Sequence, residues 1–252
     1  MRAVANQTYV FLGLGLLIAF AWCALWLWGH SPYGRYLTHA ELRVTDFGNG
    51  LVVLAIITGW VLMIIAMMLP TSLLLVAMFH RLTRQRVDHV FLIALLIGGY
   101  LSIWTLFGMV VYTCDGLLHS AIERYAWLQE QAWCIGAGIL ALAGVYQFTP
   151  LKYYCLKKCR SPMSFIVAHW QGHHERIQAF RLGVRHGLFC LGCCWALMLL
   201  MFAVGMGNLG WMFVFGALMA FEKNLPWGQW VSVLLGIILL CWSGLEVLLA
   251  LS

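Results

Sequence analysis

The hydropathy of this chain leaves it few folds. Apolar runs of spanning length occur seven times, at roughly 9–28, 51–71, 90–112, 131–148, 184–205, 208–223 and 229–250. About 20 apolar residues in a helix cross the hydrocarbon core of a bilayer. In lipid the backbone must satisfy its own hydrogen bonds, so such segments fold as helices packed on one another. The expected fold is all-α, a polytopic membrane helix bundle of about seven transmembrane helices forming a single integral membrane domain over residues 1–252. Only 10% of residues are charged, 63% are hydrophobic, and mean hydropathy is +0.88; soluble domains carry roughly a quarter charged residues. Thirteen Trp and nine Tyr suit aromatic belts at two membrane interfaces. The first run, Tyr9 to Trp28, is long enough for a span rather than a signal-peptide core, and no A-x-A cleavage site follows it. The sixth segment is short, and only Gly205-Met206-Gly207-Asn208 separates it from the fifth. It reads as one arm of a tight helical hairpin, with a re-entrant segment as the alternative.

Charge sets the expected orientation. Arg2, Arg81, Arg84, Arg86, Lys152, Lys157, Lys158, Arg160, Arg176, Arg181, Arg185 and Lys223 fall on one side of the spans; Arg35, Arg43 and Arg124 fall on the other. Positive residues in short loops stay on the inner side, which places the N-terminus in the cytoplasm and the C-terminus outside. The net charge of +6 is spread over these loops, so it is not a nucleic-acid footprint. The longest inner connection is Thr149 to Arg185. Ser161-Pro162 is a helix start, and Phe165, Ile166, His169, Trp170, His173, Ile177 and Phe180 then share a face. This predicts a cytoplasmic interfacial helix.

Chemistry concentrates in the fifth span. At about 100° per residue, His186, Cys190, Cys193, Cys194, Leu197, Met198 and Met201 fall on one side of a helix. Thiolates, thioethers and imidazoles are the donors of soft transition metals, with copper(I) favoured and zinc a possible alternative. One helix supplies two or three donors, so others must complete a site. Cys155 and Cys159 sit four residues apart below the fourth span. Lys157 and Lys158 beside them would favour thiolate, and a palmitoyl site or two inert thiols is the bland alternative. An inner-side pair would be kept mostly reduced, which argues against a structural disulfide. Cys23, Cys114, Cys134 and Cys241 are scattered and read as small hydrophobes.

Other residues are more ambiguous. Met63 and Met67 share a face of the second span, and Pro70 frees a backbone carbonyl near its inner end. Met67, Met68 and Met198 could line an approach to the cysteines, though Met stripes usually serve packing. Glu222-Lys223 closes the sixth span, either as a snorkelling interface pair or with Glu222 in a functional role. His169, His173 and His174 offer an i, i+4 pair, but the zinc-protease pattern H-E-x-x-H is absent. Glu246, Asp46 and Asp115 suggest no chemistry. No nucleotide loop, haem attachment site, nucleophile elbow or pump motif is present, and no enzymatic activity is indicated.

Several strings together resemble one family. They are Trp60-x-x-Met63-x-x-Ala66-Met67-Met68-Leu69-Pro70, Gly99-Tyr100-Leu101-x-x-Trp104-x-x-Phe107, Tyr146-Gln147-Phe148-Thr149-Pro150-Leu151-Lys152 with Cys155, Cys159, Arg160 and Pro162 after it, Arg185-His186-Gly187 through Met198, and Glu222-Lys223. The chain is similar to the bacterial family of predicted metal-binding integral membrane proteins, domain of unknown function 2182. The resemblance implies a metal-binding protein of the bacterial inner membrane, without a substrate or reaction.

The leading expectation is a soft transition-metal protein that sequesters copper, transfers it, or delivers it to a membrane metalloenzyme. Cys190, Cys193 and Cys194 would bind the metal, with His186, Cys155 and Cys159 completing the set and Glu222 near it. Two other classes remain open. One is a membrane thiol-redox protein; the other is a non-catalytic subunit or assembly factor docked in a larger membrane complex through Gly-rich helices.

Overall fold

The computed structural model describes residues 2–31, 50–125, 127, 131–171, 174–204 and 208–251. Arg35, Arg43, Asp46, His173 and most of the 205–208 connection lie outside the described residues. Ten helices and no strands are present among those described: α1 (Arg2–Gly29), α2 (Gly50–Met67), α3 (Leu69–Thr83), α4 (His89–Arg124), α5 (Ala132–Tyr146), α6 (Pro150–Cys159), α7 (Pro162–His169), α8 (Glu175–Val204), α9 (Leu209–Asn224) and α10 (Gly228–Leu251). The all-α bundle is as expected.

Among the described residues, five helices are long and apolar enough to cross a membrane: Tyr9–Gly29, Gly50–Met67, His89–Ile122, Glu175–Met201 and Gly228–Ala250. A sixth candidate is broken. Trp133–Tyr146 and Pro150–Cys159 meet at a 65° bend, so the segment expected over 131–148 turns and continues as α6. The segment expected over 208–223 forms α9, at 16 residues a short helix. The architecture is compatible with a multi-pass membrane protein, and the outward faces carry Leu, Phe and Trp in quantity.

Two prolines shape the region around the site. Pro70 stands in the first turn of α3, and the helix breaks just before it at Met68. Without an N–H, Pro70 leaves the Ala66 carbonyl free, and the Trp22 indole N–H of α1 donates to it at 3.2 Å. Pro150 opens α6 after Thr149, whose extended backbone (φ −75°, ψ 142°) makes the bend. The Thr149 hydroxyl caps the Tyr146 carbonyl at 2.8 Å.

α8 is the most buried of the long helices, and small residues let it lie against α4. A Cβ on Gly99 would run into the Phe180 carbonyl, one on Gly183 into that of Leu96, and one on Gly187 would stand 3.1 Å from Ile103. Close backbone approach at small residues is the usual route to tight helix packing in lipid. Here it sets Tyr100 of α4 beside His186 and Cys190 of α8. Trp60 of α2 reaches α4 in turn, its indole N–H donating to the Trp104 carbonyl at 2.8 Å.

The 161–181 region differs from the expectation. A helix does begin at Pro162, but it ends at His169 with Trp170 extended (φ −107°, ψ 111°). Ile177 and Phe180 belong to α8, which starts at Glu175, so they do not continue the face of Phe165 and Ile166. Periodicity alone runs across such a break without registering it. Ion pairs hold the start of α8 instead: Glu175 meets Arg86 at 2.5 Å and Arg176 meets Asp88 at 3.8 Å. Trp170 packs edge-on against Phe79 of α3 at 5.0 Å. The scattered Cys23, Cys114, Cys134 and Cys241 are exposed on the outer faces rather than buried.

Candidate metal centre

The bend after α5 swings α6 beneath α8 and brings two sets of cysteines together. On α8, Cys190, Cys193 and Cys194 are buried; on α6, Cys155 is buried and Cys159 half-buried. The sulfur of Cys193 lies 3.3 Å from that of Cys194 and 4.0 Å from that of Cys159. Its thiol also reaches the Cys190 carbonyl at 3.1 Å. Gly192 is what admits α6 so closely: a Cβ there would stand 2.6 Å from the Cys155 sulfur. The Tyr146 hydroxyl at the bend donates to the Gly192 carbonyl, and its ring meets Trp195 edge-on at 4.9 Å.

Cys190 stands within side-chain reach of Cys193 and Cys194 and has further partners on other helices. Its sulfur is 3.0 Å from the Lys223 ammonium and 3.1 Å from the Tyr100 hydroxyl. Lys223 also donates to the Thr71 hydroxyl at 3.0 Å. The Met68 carbonyl, exposed by the break between α2 and α3, accepts from Thr71 at 2.8 Å. His186 likewise turns toward α3, its Nε2 3.2 Å from the Ser72 hydroxyl and its ring against Tyr100 and Phe165. The six expected donors therefore divide. Cys159, Cys193 and Cys194 cluster, Cys155 packs beside them under Gly192, Cys190 joins Cys193 and Cys194 to Lys223 and Tyr100, and His186 is engaged with Ser72. Among the described residues no three His, Cys, Asp or Glu side chains converge in a ready-made ion cage.

The expected lining residues are all buried: Met67 2% exposed, Met68 and Met198 0%, Glu222 1%. Met67 packs across Gly216 of α9, and Met198 follows Cys194 by one turn. Glu222 and Lys223 do not snorkel. Glu222 takes the Lys152 ammonium at 2.8 and 3.0 Å and the Ser232 hydroxyl at 2.8 Å, and the Gln147 side-chain carbonyl completes the surroundings of Lys152. With its neighbour's carboxylate so occupied, Lys223 is left to the sulfur of Cys190. Lys157 and Lys158, expected to act on the Cys155 and Cys159 thiols, are exposed. The cation that touches a thiol comes from α9 instead.

Sequence reasoning missed Lys223 as a sulfur partner, together with Tyr100, Thr71 and Ser72. A lysine in an apolar chain beside a carboxylate was the one available signal, and it pointed equally well to a surface pair.

A family model described as "PpoB2: Copper chaperone" matches residues 57–245. That is well over half of the chain, and the chain belongs to this family. The match bears out a metal-binding family with copper as the metal, under a different description from the one its motifs resemble. No curated protein and no solved structure matches the chain.

Proposed function

We propose that this chain, as a member of a copper chaperone family, carries copper(I) through a transient stay on buried thiolates inside a membrane and delivers it to a membrane metalloenzyme. The observation that supports this reading is the gathering of Cys159, Cys193 and Cys194 from two helices, at sulfur separations of 3.3 and 4.0 Å. Two metal–thiolate bonds of ~2.3 Å span up to ~4.6 Å between sulfurs. The 4.0 Å from Cys159 to Cys193 falls inside that span, and Cys194 needs only a small retreat to join. Thiolates suit copper(I), and Cys190, held also by Lys223 and Tyr100, stands within reach of Cys193 and Cys194 as a further sulfur.

Copper is cargo here. The thiols bind it, the apolar helices keep water from it, and Lys223 gives a sulfur-rich interior a fixed counter-charge. Cys155, Cys190 and His186 flank the cluster as further donors, with Met67, Met68 and Met198 along the approach. The bacterial inner membrane, with the N-terminus and the Arg- and Lys-rich loops in the cytoplasm, is the setting this reading requires. Reporter fusions at the two termini check the orientation.

The test is the copper content of detergent-purified protein against Cys193→Ser and a Cys159/Cys193/Cys194→Ser variant. Wild type is expected to retain copper after removal of free metal, and the triple variant to fall to background. Equal copper in both would refute the assignment. The 4.0 Å between Cys159 and Cys193 also brings a disulfide within a small movement, which is the observation favouring thiol redox as the second reading. Trapping of thiols under oxidant decides it: a Cys159–Cys193 bridge supports redox exchange, and fully reduced cysteines exclude it.

A further inference from the structure

α3 leads away from the thiol group. Ser72, which meets His186, lies eight residues before His80, about 12 Å along the helix axis, with Val76 between them. All three are buried. A narrow crevice lined by Ser72, Val76, Leu96, Tyr100 and His186 lies at the Ser72 end of this stretch.

His80 meets His89, the first residue of α4, with ring centroids 5.6 Å apart and planes at 54°. Nδ1 of His80 is buried and has no hydrogen-bond partner among the described residues. Such an orphan is costly unless something satisfies it. Nδ1 of His89 stands 3.1 Å from the Arg86 carbonyl. A carbonyl only accepts, so that nitrogen carries the ring proton and Nε2 presents a lone pair. Metal-bound histidines commonly show this arrangement, the second ring nitrogen donating to a backbone carbonyl.

We infer that His80 and His89 form a second station for the same monovalent soft metal, a two-imidazole site at the end of the bundle from which α3 leads to the sulfur group. It rests on the copper reading proposed for the thiols. Two metal–nitrogen bonds of ~2 Å, with the ring radii added, set imidazole centroids roughly 6 Å apart, close to the separation found. No third His, Cys, Asp or Glu completes a cage among the described residues, which fits a two-coordinate ion and not a tetrahedral one. Nearby, Arg86 pairs with Glu175 and Arg176 with Asp88, and Arg84 adds a positive charge beside His80.

The test uses the full chain in detergent with Ag(I) as a redox-stable probe for copper(I), comparing wild type with His80→Phe and His89→Gln. His89 is half-buried at a helix start, so its variant reports even if His80→Phe misfolds. Each variant is expected to bind one Ag(I) fewer per chain. X-ray absorption should show the nitrogen contribution lost and the sulfur contribution kept. Unchanged Ag(I) stoichiometry in both variants overturns the inference. Nitrogen-bound Ag(I) lost in both, with no effect of Cys193→Ser, sustains this station and removes the thiol reading instead. Wild type that binds no Ag(I) removes both.

Discussion

Glu222→Gln is the most searching perturbation of this bundle. The Glu222 carboxylate accepts from Lys152 at 2.8 and 3.0 Å and from Ser232 at 2.8 Å. The Lys152 and Glu222 side chains are 0% and 1% exposed. The pair ties α6 to α9, and Ser232 adds α10. Glutamine keeps the size and removes the charge, so the Lys152 ammonium is left in an apolar interior without a counter-ion. Breaking a buried pair from one side costs about 3–5 kcal/mol. At ~2–4 °C per kcal/mol for a chain of this length, Tm should fall by roughly 6–20 °C. The reverse variant, Lys152→Met, is expected to lose a similar amount. Lys152→Met with Glu222→Leu removes both charges and should recover most of the loss, because an apolar pair avoids the desolvation cost. Tryptophan fluorescence during thermal unfolding in detergent reads all four proteins. A fall of less than about 1 °C for Glu222→Gln, well under the cost of a stranded charge, would refute the reasoning. So would a double variant as unstable as the two single losses added together.

Three further outcomes are expected. Gly192→Ala places a Cβ against the Cys155 sulfur and should cost about 1–3 kcal/mol by overpacking; adding Cys155→Ala should restore stability in the same melt, and no rescue would count against the α6–α8 contact. Gly183→Val sets a side chain into the Leu96 backbone, which cannot yield as a flexible side chain can. It should lower Tm more than Gly98→Val, where nothing lies within 4 Å of the added Cβ; equal effects would refute the close approach of α4 and α8. For His80, the native pKa is lowered, first by burial, so the unfolded chain binds the proton more readily. Its contribution is complete above the ordinary histidine value of about 6.5 and shrinks as pH falls through and below it. Wild-type Tm should therefore drop more between neutral and mildly acid pH than that of His80→Phe, and parallel curves would refute this.

Much of the candidate site was legible along the chain. The i, i+3, i+4 spacing of Cys190, Cys193 and Cys194 sets a sulfur stripe on any helix, and Tyr146 through Cys159 announced a second thiol pair close by in sequence. The carbonyl freed by Pro70 was legible, and the structure adds a break in the helix at Met68. The helix boundary at Trp170 was not legible, because an apolar pattern of helical period continues across it while the backbone turns extended. Nor was the division among the donors. Cys190 and Cys193 look equivalent on a helical wheel and touch each other, yet only the first also bonds Lys223 and Tyr100 and only the second also meets Cys159.

Local chemistry explains what the sequence by itself determined: the helical, lipid-compatible class of the fold and the side of α8 on which sulfur lies. Both follow from composition and from the helical repeat. Tertiary structure alone decided which charges are spent on each other. Glu222 and Lys223 are neighbours that could have paired at a surface. Instead Glu222 takes Lys152, 70 positions away, and Lys223 takes the sulfur of Cys190, 33 positions away. A buried ion must find its partner wherever the packing of α6, α8 and α9 supplies one, and the close approach of α6 to α8 rests on Gly192, not on anything beside the ion in the chain.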